Sequence, residues 1–177
     1  FSGIPKNIAI AKEIAKSVSV PVEFGGGVRN TKIIDELLDA GLSRVILGTK
    51  AVKDIDFLKK VFKKYKDKVI VSIDVSGGNI LVEGWKASSK EKGCTEFALV
   101  LKKMGFKEII YTDTLKDGTL SGPNIKGIKL LLKETGLKII ASGGISGLQD
   151  LRKLKTIEKS GVAGVIIGKA LYEGRFT

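Results

Sequence analysis

The chain has 177 residues, 43% of them hydrophobic and 28% charged, with a formal charge of +12, no histidine and a single cysteine. That composition can bury a core and excludes disordered and collagen-like chains, while apolar runs such as 69–73 and 162–167 fall far short of the roughly 20 residues a membrane helix needs. A lone Cys94 forms no internal disulfide, and a lysine-rich chain without paired thiols fits a reducing compartment, the cytoplasm by default.

In chain order the pattern predicts a helix over 4–17, a strand ending near Phe24, a helix over 32–40, a strand ending near Leu47, a helix over 55–65 and a strand ending near Ile73. A helix over 95–104, a strand ending near Tyr111, a helix over 126–135, a strand ending near Ala141, a helix over 148–159 and a strand ending near Ile167 follow. The helices are read from apolar residues at about 3.6-residue spacing, the strands from short β-branched runs too continuous to have a wet face. Alternation of this kind builds a parallel sheet. It reads as a single domain over 1–177, a (β/α)8 TIM barrel that is incomplete, short of its first two strands, its first helix and its last helix against the usual length of about 250 residues.

An internal repeat favours the barrel. Strand, Gly-Gly, helix, Gly, strand, Gly-small occurs over about 22–52 and again over about 139–171, as two related half-barrels would show. The lysines, for example Lys59, Lys63, Lys102 and Lys153, are spread over almost every helix instead of gathered in one stretch with aromatics, which describes solvated faces and not a nucleic-acid surface.

Glycines after strands carry the first functional signal. A phosphate dianion needs backbone N–H groups that can come close, and glycine removes the side chain in the way. Gly26 and Gly27 with Gly48 and Thr49 form one candidate cradle; Gly143 and Gly144 with Gly168 and Lys169 form the other. Two cradles imply a small ligand with a phosphate at each end.

Asp74 closes the run 69–73 and is expected at the C-terminal mouth, where barrel enzymes keep their chemistry, as a candidate acid or base. Thr112 ends the next strand and is expected beside it, ahead of a polar loop holding Asp117 and Gly118. Trp85 is a candidate lid or stacking face. Without histidine, and with one cysteine, no zinc constellation and no serine or cysteine triad can be drawn, so acid–base work falls to carboxylates and hydroxyls.

Taken together, Phe24-Gly25-Gly26-Gly27-Val28-Arg29, Ser72-Ile73-Asp74 with Gly77-Gly78, Thr112-Asp113 with 116–124, 141–146 and 168–174 resemble the phosphoribosylformimino-5-aminoimidazole carboxamide ribotide isomerase family over essentially the whole chain. The cyclase subunit of imidazole glycerol phosphate synthase shares the Gly-Gly-Gly and Asp-Gly-Thr loops and remains an alternative, as does a non-catalytic barrel that binds phosphorylated ligands. The resemblance implies an aldose–ketose isomerase of histidine biosynthesis acting on a bis-phosphorylated ribonucleotide without a cofactor. It implies Asp74 as proton donor, Thr112 and Asp117 as pocket residues, and Gly27, Gly48, Thr49, Gly118, Gly144, Gly168 and Lys169 as phosphate-gripping positions. The family's proton acceptor, an aspartate ending the first strand, would precede Phe1. Relatives commonly carry a small residue followed by arginine where Val75 and Ser76 stand here.

Overall fold

The structure is a computed structural model that describes residues 7–82 and 87–176. It divides into two compact units, Phe1–Val71 and Ser72–Thr177. Both are α/β, and their βα order is that of the incomplete (β/α)8 barrel expected from the sequence.

The first unit runs α1 (Ile8–Ser17), β1 (Glu23–Gly25), α2 (Thr31–Asp39), β2 (Arg44–Leu47), α3 (Thr49–Lys53), α4 (Ile55–Tyr65) and into β3 (Val69–Ser76). β1 lies parallel to β2 with Phe24 opposite Val45, and β2 lies parallel to β3 with Ile46 opposite Ile70. The helix starts are set by side chains: Asn30 accepts a hydrogen bond from the Ile33 N–H at 3.0 Å, and Asp54 accepts one from the Phe57 N–H at 2.8 Å. Each satisfies a donor that the first turn of a helix leaves without a partner. Ile34 and Leu37 on α2, and Leu58 and Val61 on α4, are wholly buried. Removing each from water stabilises the unit by about 1.5–3 kcal/mol.

The second unit takes up the end of β3 and continues through β4 (Asn79–Val82), β5 (Ala87–Gly93), α5 (Cys94–Met104), β6 (Glu108–Asp113), α6 (Ile125–Thr135), β7 (Lys138–Ser142), α7 (Leu148–Lys155), β8 (Val162–Val165) and α8 (Lys169–Tyr172). β6, β7 and β8 are parallel neighbours, with Ile110 opposite Ile140 and Ala141 opposite Val165. The end of β3 lies beside β6. Phe97 and Leu101 of α5, Ile109 of β6, Ile128 of α6 and Ile139 of β7 fill its core.

Several elements depart from the sequence reading. β3 does not stop near Ile73 but runs on to Ser76, pairing antiparallel with β4, Asp74 opposite Leu81 and Ser76 opposite Asn79. The cause is the Gly77-Gly78 turn, whose φ of 55° and 89° suit the two-residue hairpin connection that matches strand twist. β8 ends at Val165, two residues before Ile167, and a four-residue α8 follows it. The last long helix stops at Lys155, with residues 158–160 forming a separate 3-10 turn. Trp85 lies outside the described residues. Among the described residues no helix is long and apolar enough to cross a membrane.

Cys94 opens α5 and is buried; burial, with Glu96 nearby, pushes its thiol up to about 12. Since only the thiolate reacts, iodoacetamide at about pH 8 should modify the native protein on the order of a thousandfold more slowly than the urea-unfolded chain. Equal rates would mean that the start of α5 is not packed as described.

Candidate active site

The second unit brings two of the expected chemical groups to adjoining strand ends. The Thr114 backbone N–H and hydroxyl both donate to the Val75 carbonyl, at 2.9 and 3.0 Å. Asp74 immediately precedes that acceptor, and Thr112 stands two residues before the donor. The Asp74 carboxylate is half-buried and accepts from the Ser72 hydroxyl at 3.2 Å. Thr112 is buried opposite Ser142 of β7. The pleat orients it: Tyr111 and Asp113, its chain neighbours, both reach Asn124 at the start of α6, so Thr112 leaves β6 by the opposite face.

The loop after β6 is wound tightly. The Asp113 carbonyl accepts from the N–H groups of Lys116 and Asp117 at 3.1 and 3.0 Å. The Thr119 hydroxyl contacts Ser121 at 2.7 Å, and Lys116 reaches the same serine at 3.2 Å. Asp117 and Gly118 are thereby exposed at the turn. Lys169 donates across to the Gly118 carbonyl at 3.3 Å and lies 3.6 Å from Glu173. Gly118 and Lys169, assigned separately from sequence, meet.

The candidate phosphate glycines fall into two kinds. At Gly26, Gly48, Gly118 and Gly168 an added Cβ would meet nothing within 4 Å, which is the open approach that a ligand requires. Gly143 and Gly144 are buried, and their bareness serves the fold: a Cβ on Gly143 would lie 2.5 Å from the Asp113 carbonyl oxygen, and one on Gly144 would strike the Gly122 carbonyl. Gly27, with φ of 70°, is exposed after β1, and Thr49 opens α3 behind Gly48.

Three residues that sequence reasoning left without a role hold these turns. Asp113 is buried, its carboxylate accepting from the Asn124 amide at 2.6 Å and the Leu115 N–H at 3.0 Å. Asn124 in turn accepts from the Gly127 N–H at 2.8 Å and caps α6. Asp150, in the first turn of α7, reaches back to the Ser146 N–H at 3.0 Å and the Ser146 hydroxyl at 2.5 Å, and pairs with Lys153 at 3.0 Å. The spacing from Asn124 to Gly127 was a readable capping signal; the buried carboxylates carry no comparable pattern. Tyr111, beneath this network, is pushed up to about 12 by burial and by the neighbouring Asp113 and Cys94, so it remains a phenol.

The whole chain, residues 1–177, matches the family model described as Histidine biosynthesis protein. A protein of Pelotomaculum thermopropionicum is 45% identical over 174 residues, covering 98% of this chain and 67% of that relative. One of Moorella thermoacetica is 42% identical over 177 residues, covering 100% of this chain and 72% of the relative. One of Carboxydothermus hydrogenoformans is 45% identical over 175 residues, covering 99% and 72%. All three relatives are named 1-(5-phosphoribosyl)-5-((5-phosphoribosylamino)methylideneamino) imidazole-4-carboxamide isomerase.

The two kinds of glycine should separate experimentally. Gly144→Ala meets both a φ of 83° and a main-chain collision and should cost about 3 kcal/mol or more in urea unfolding, whereas Gly26→Ala, at φ of 110° with open space, should cost about 1–2 kcal/mol. Equal losses would show that the Gly122 contact does not constrain the fold. Asp150 gives a pH test. Burial raises its carboxyl, but the Ser146 and Lys153 hydrogen bonds outweigh this and hold it below the usual carboxylate range. The stabilisation is therefore full above the unfolded value of about 3.9 and is lost as pH falls through the lower folded value. The gap in urea midpoint between wild type and Asp150→Asn should be constant from about pH 5 to 7 and narrow below about pH 4. A gap that widens in acid would reverse the assignment.

Proposed function

We propose that this chain, which belongs to the histidine biosynthesis protein family, is an isomerase that converts a bis-phosphorylated aminoaldose ribonucleotide to the aminoketose in histidine biosynthesis. The observation that carries the reading is the joining of the β3 and β6 ends through Thr114 and Val75, which stations the Asp74 carboxyl and the Thr112 hydroxyl on adjacent strands.

The reaction is an Amadori rearrangement. The Asp74 carboxyl protonates the ring oxygen as the C1–O bond breaks, leaving a cationic imine. Loss of the C2 proton to a base then gives an enol, and protonation at C1 with loss of the enol hydroxyl proton yields the ketone, so atoms and charge balance without an external oxidant. The resemblance assigns the base to an aspartate ahead of Phe1. Thr112 offers a hydroxyl to the ribose, and the Asp117 carboxylate lies on the same loop as Gly118. The relatives' name carries two phosphoribosyl groups. Within the first unit the phosphate turn of this reading is Gly26 and Gly27 with Gly48 and Thr49, where Gly26 and Gly48 leave open space; within the second it is Gly118, Gly168 and Lys169, with Gly143 and Gly144 offering main-chain N–H groups while their missing side chains make room for the 113–122 loop. Preorganised N–H groups at these turns bind the dianion without reorganising, and a formal charge of +12 draws it in. The cytoplasm is the proposed compartment, on the ground of the lone thiol.

A positioned general acid is worth about 10²–10⁴ in rate, so Asp74→Asn should lower kcat by about that factor while leaving the melting temperature within a few degrees. The measurement is conversion of the aminoaldose with no ammonia added. Unchanged kcat in Asp74→Asn would remove the proton-donor role, and turnover that requires ammonia would point to the sister cyclase.

A further inference from the structure

Asp113 has no part in the chemistry above, yet it is tied to several parts of the candidate site. Its side chain holds Leu115 and Asn124, and its carbonyl holds Lys116 and Asp117. That same carbonyl oxygen presses on Gly143, and the next residue, Thr114, makes the two bonds to Val75 beside Asp74. A buried carboxylate is costly unless its oxygens are satisfied. Here one oxygen is spent on the turn and the other on the start of α6.

Asn124 is the second half of the device. Its Oδ1 accepts from Gly127 and its Nδ2 donates to Asp113, so the amide has one orientation only. Gly127 keeps the corner open, since a Cβ there would lie 2.7 Å from both the Asn124 amide nitrogen and the Tyr111 hydroxyl. The chain between the two residues, 114–123, holds Asp117 and Gly118, and its far end donates from the Gly122 N–H to the Gly144 carbonyl at 2.8 Å. The loop is therefore clamped at its base by one hydrogen bond between side chains.

We propose that Asp113 is a positioning residue for phosphate binding: through its bond to Asn124 it sets the Gly118 turn and, by way of Gly122, the Gly144 turn. The inference rests on the reading of these turns as phosphate-holding. It predicts that the polarity of the pair can be exchanged. In Asp113→Asn two amide NH₂ groups face each other, and turning the Asn124 amide to relieve this forfeits the cap on Gly127. In Asn124→Asp two carboxylates face each other. The double variant restores the bonds of the pair: the new amide at position 113 accepts from Leu115 and donates to the new carboxylate at position 124, which also caps Gly127 and accepts from the Tyr111 hydroxyl.

The test uses inorganic phosphate as the probe, with its Kd read from the amide shifts of Gly118, Gly144 and Gly168, and the melting temperature of each variant measured alongside. Asp113→Asn and Asn124→Asp should each weaken phosphate binding by about tenfold or more below their melting temperatures, and the double variant should return to within about threefold of wild type. Asn124→Ser, which keeps a capping oxygen but no amide donor, should weaken binding with α6 intact, and serves if the charge-altering single variants do not fold. Single variants that lose melting temperature but bind phosphate as wild type does would make Asp113 merely structural. A double variant no better than the weaker single would do the same. A wild type with no phosphate-induced shift at these glycines would overturn the reading of the turns, and this inference with it.

Discussion

The second unit is organised around main chain packed directly on main chain. The Gly122 N–H donates to the Gly144 carbonyl, and each of Gly143 and Gly144 sits where a methyl group would collide with a carbonyl of the 113–122 segment. Backbone cannot yield as a flexible side chain can. The approach therefore dictates glycine at both positions, forces the positive φ values there, and draws the loop after β6 onto the loop after β7. The course of the backbone at these two loops is settled first by that contact and then by the side chains around it.

Taken separately, the two units carry the same local geometry. Gly26 and Gly27 have φ of 110° and 70°; Gly143 and Gly144 have 95° and 83°. Gly48 stands at φ −109°, ψ −113°, and Gly168 at φ −102°, ψ −107°, each just ahead of a short helix. A backbone state so unusual, found at matching points of the repeat, fits duplication better than independent origin. The surroundings have diverged. Gly26 stands in the open where Gly143 is packed, and Thr49 stands where the other copy has Lys169. The conformation is shared while its surroundings differ.

The βα rhythm was legible because buried parallel strands and one-sided helices leave different periodicities, and all six strands expected from those runs are present. The β3–β4 hairpin was not. Its alternating Ser-Ile-Asp-Val-Ser and Asn-Ile-Leu-Val runs and Gly-Gly turn were in view, but the βα reading predisposed Gly77-Gly78 to be a loop after Asp74. The short α3 and α8 escaped because four or five residues hold too little periodicity. At the site, the need for a residue type is easier to read than the reason for it. Gly143 and Gly144 were legible as special, yet whether a bare backbone makes room for a ligand or for another loop depends on contacts more than twenty residues away. Asp113 and Asp150 were illegible for another reason: their partners, Leu115 and Asn124 for one and Ser146 and Lys153 for the other, lie near in the chain, but the burial that gives these carboxylates their role arises only on folding.

The hairpin that extends β3 bears on how the site can operate. Beyond Ile73 the strand is held on one side by β4 and, through Thr114, on the other by the end of β6. A segment secured along both edges cannot swing as a flap without tearing sheet bonds on each side. Asp74 is thus bolted to the frame: its carboxyl can swivel on its own two torsions, but the platform beneath stays put.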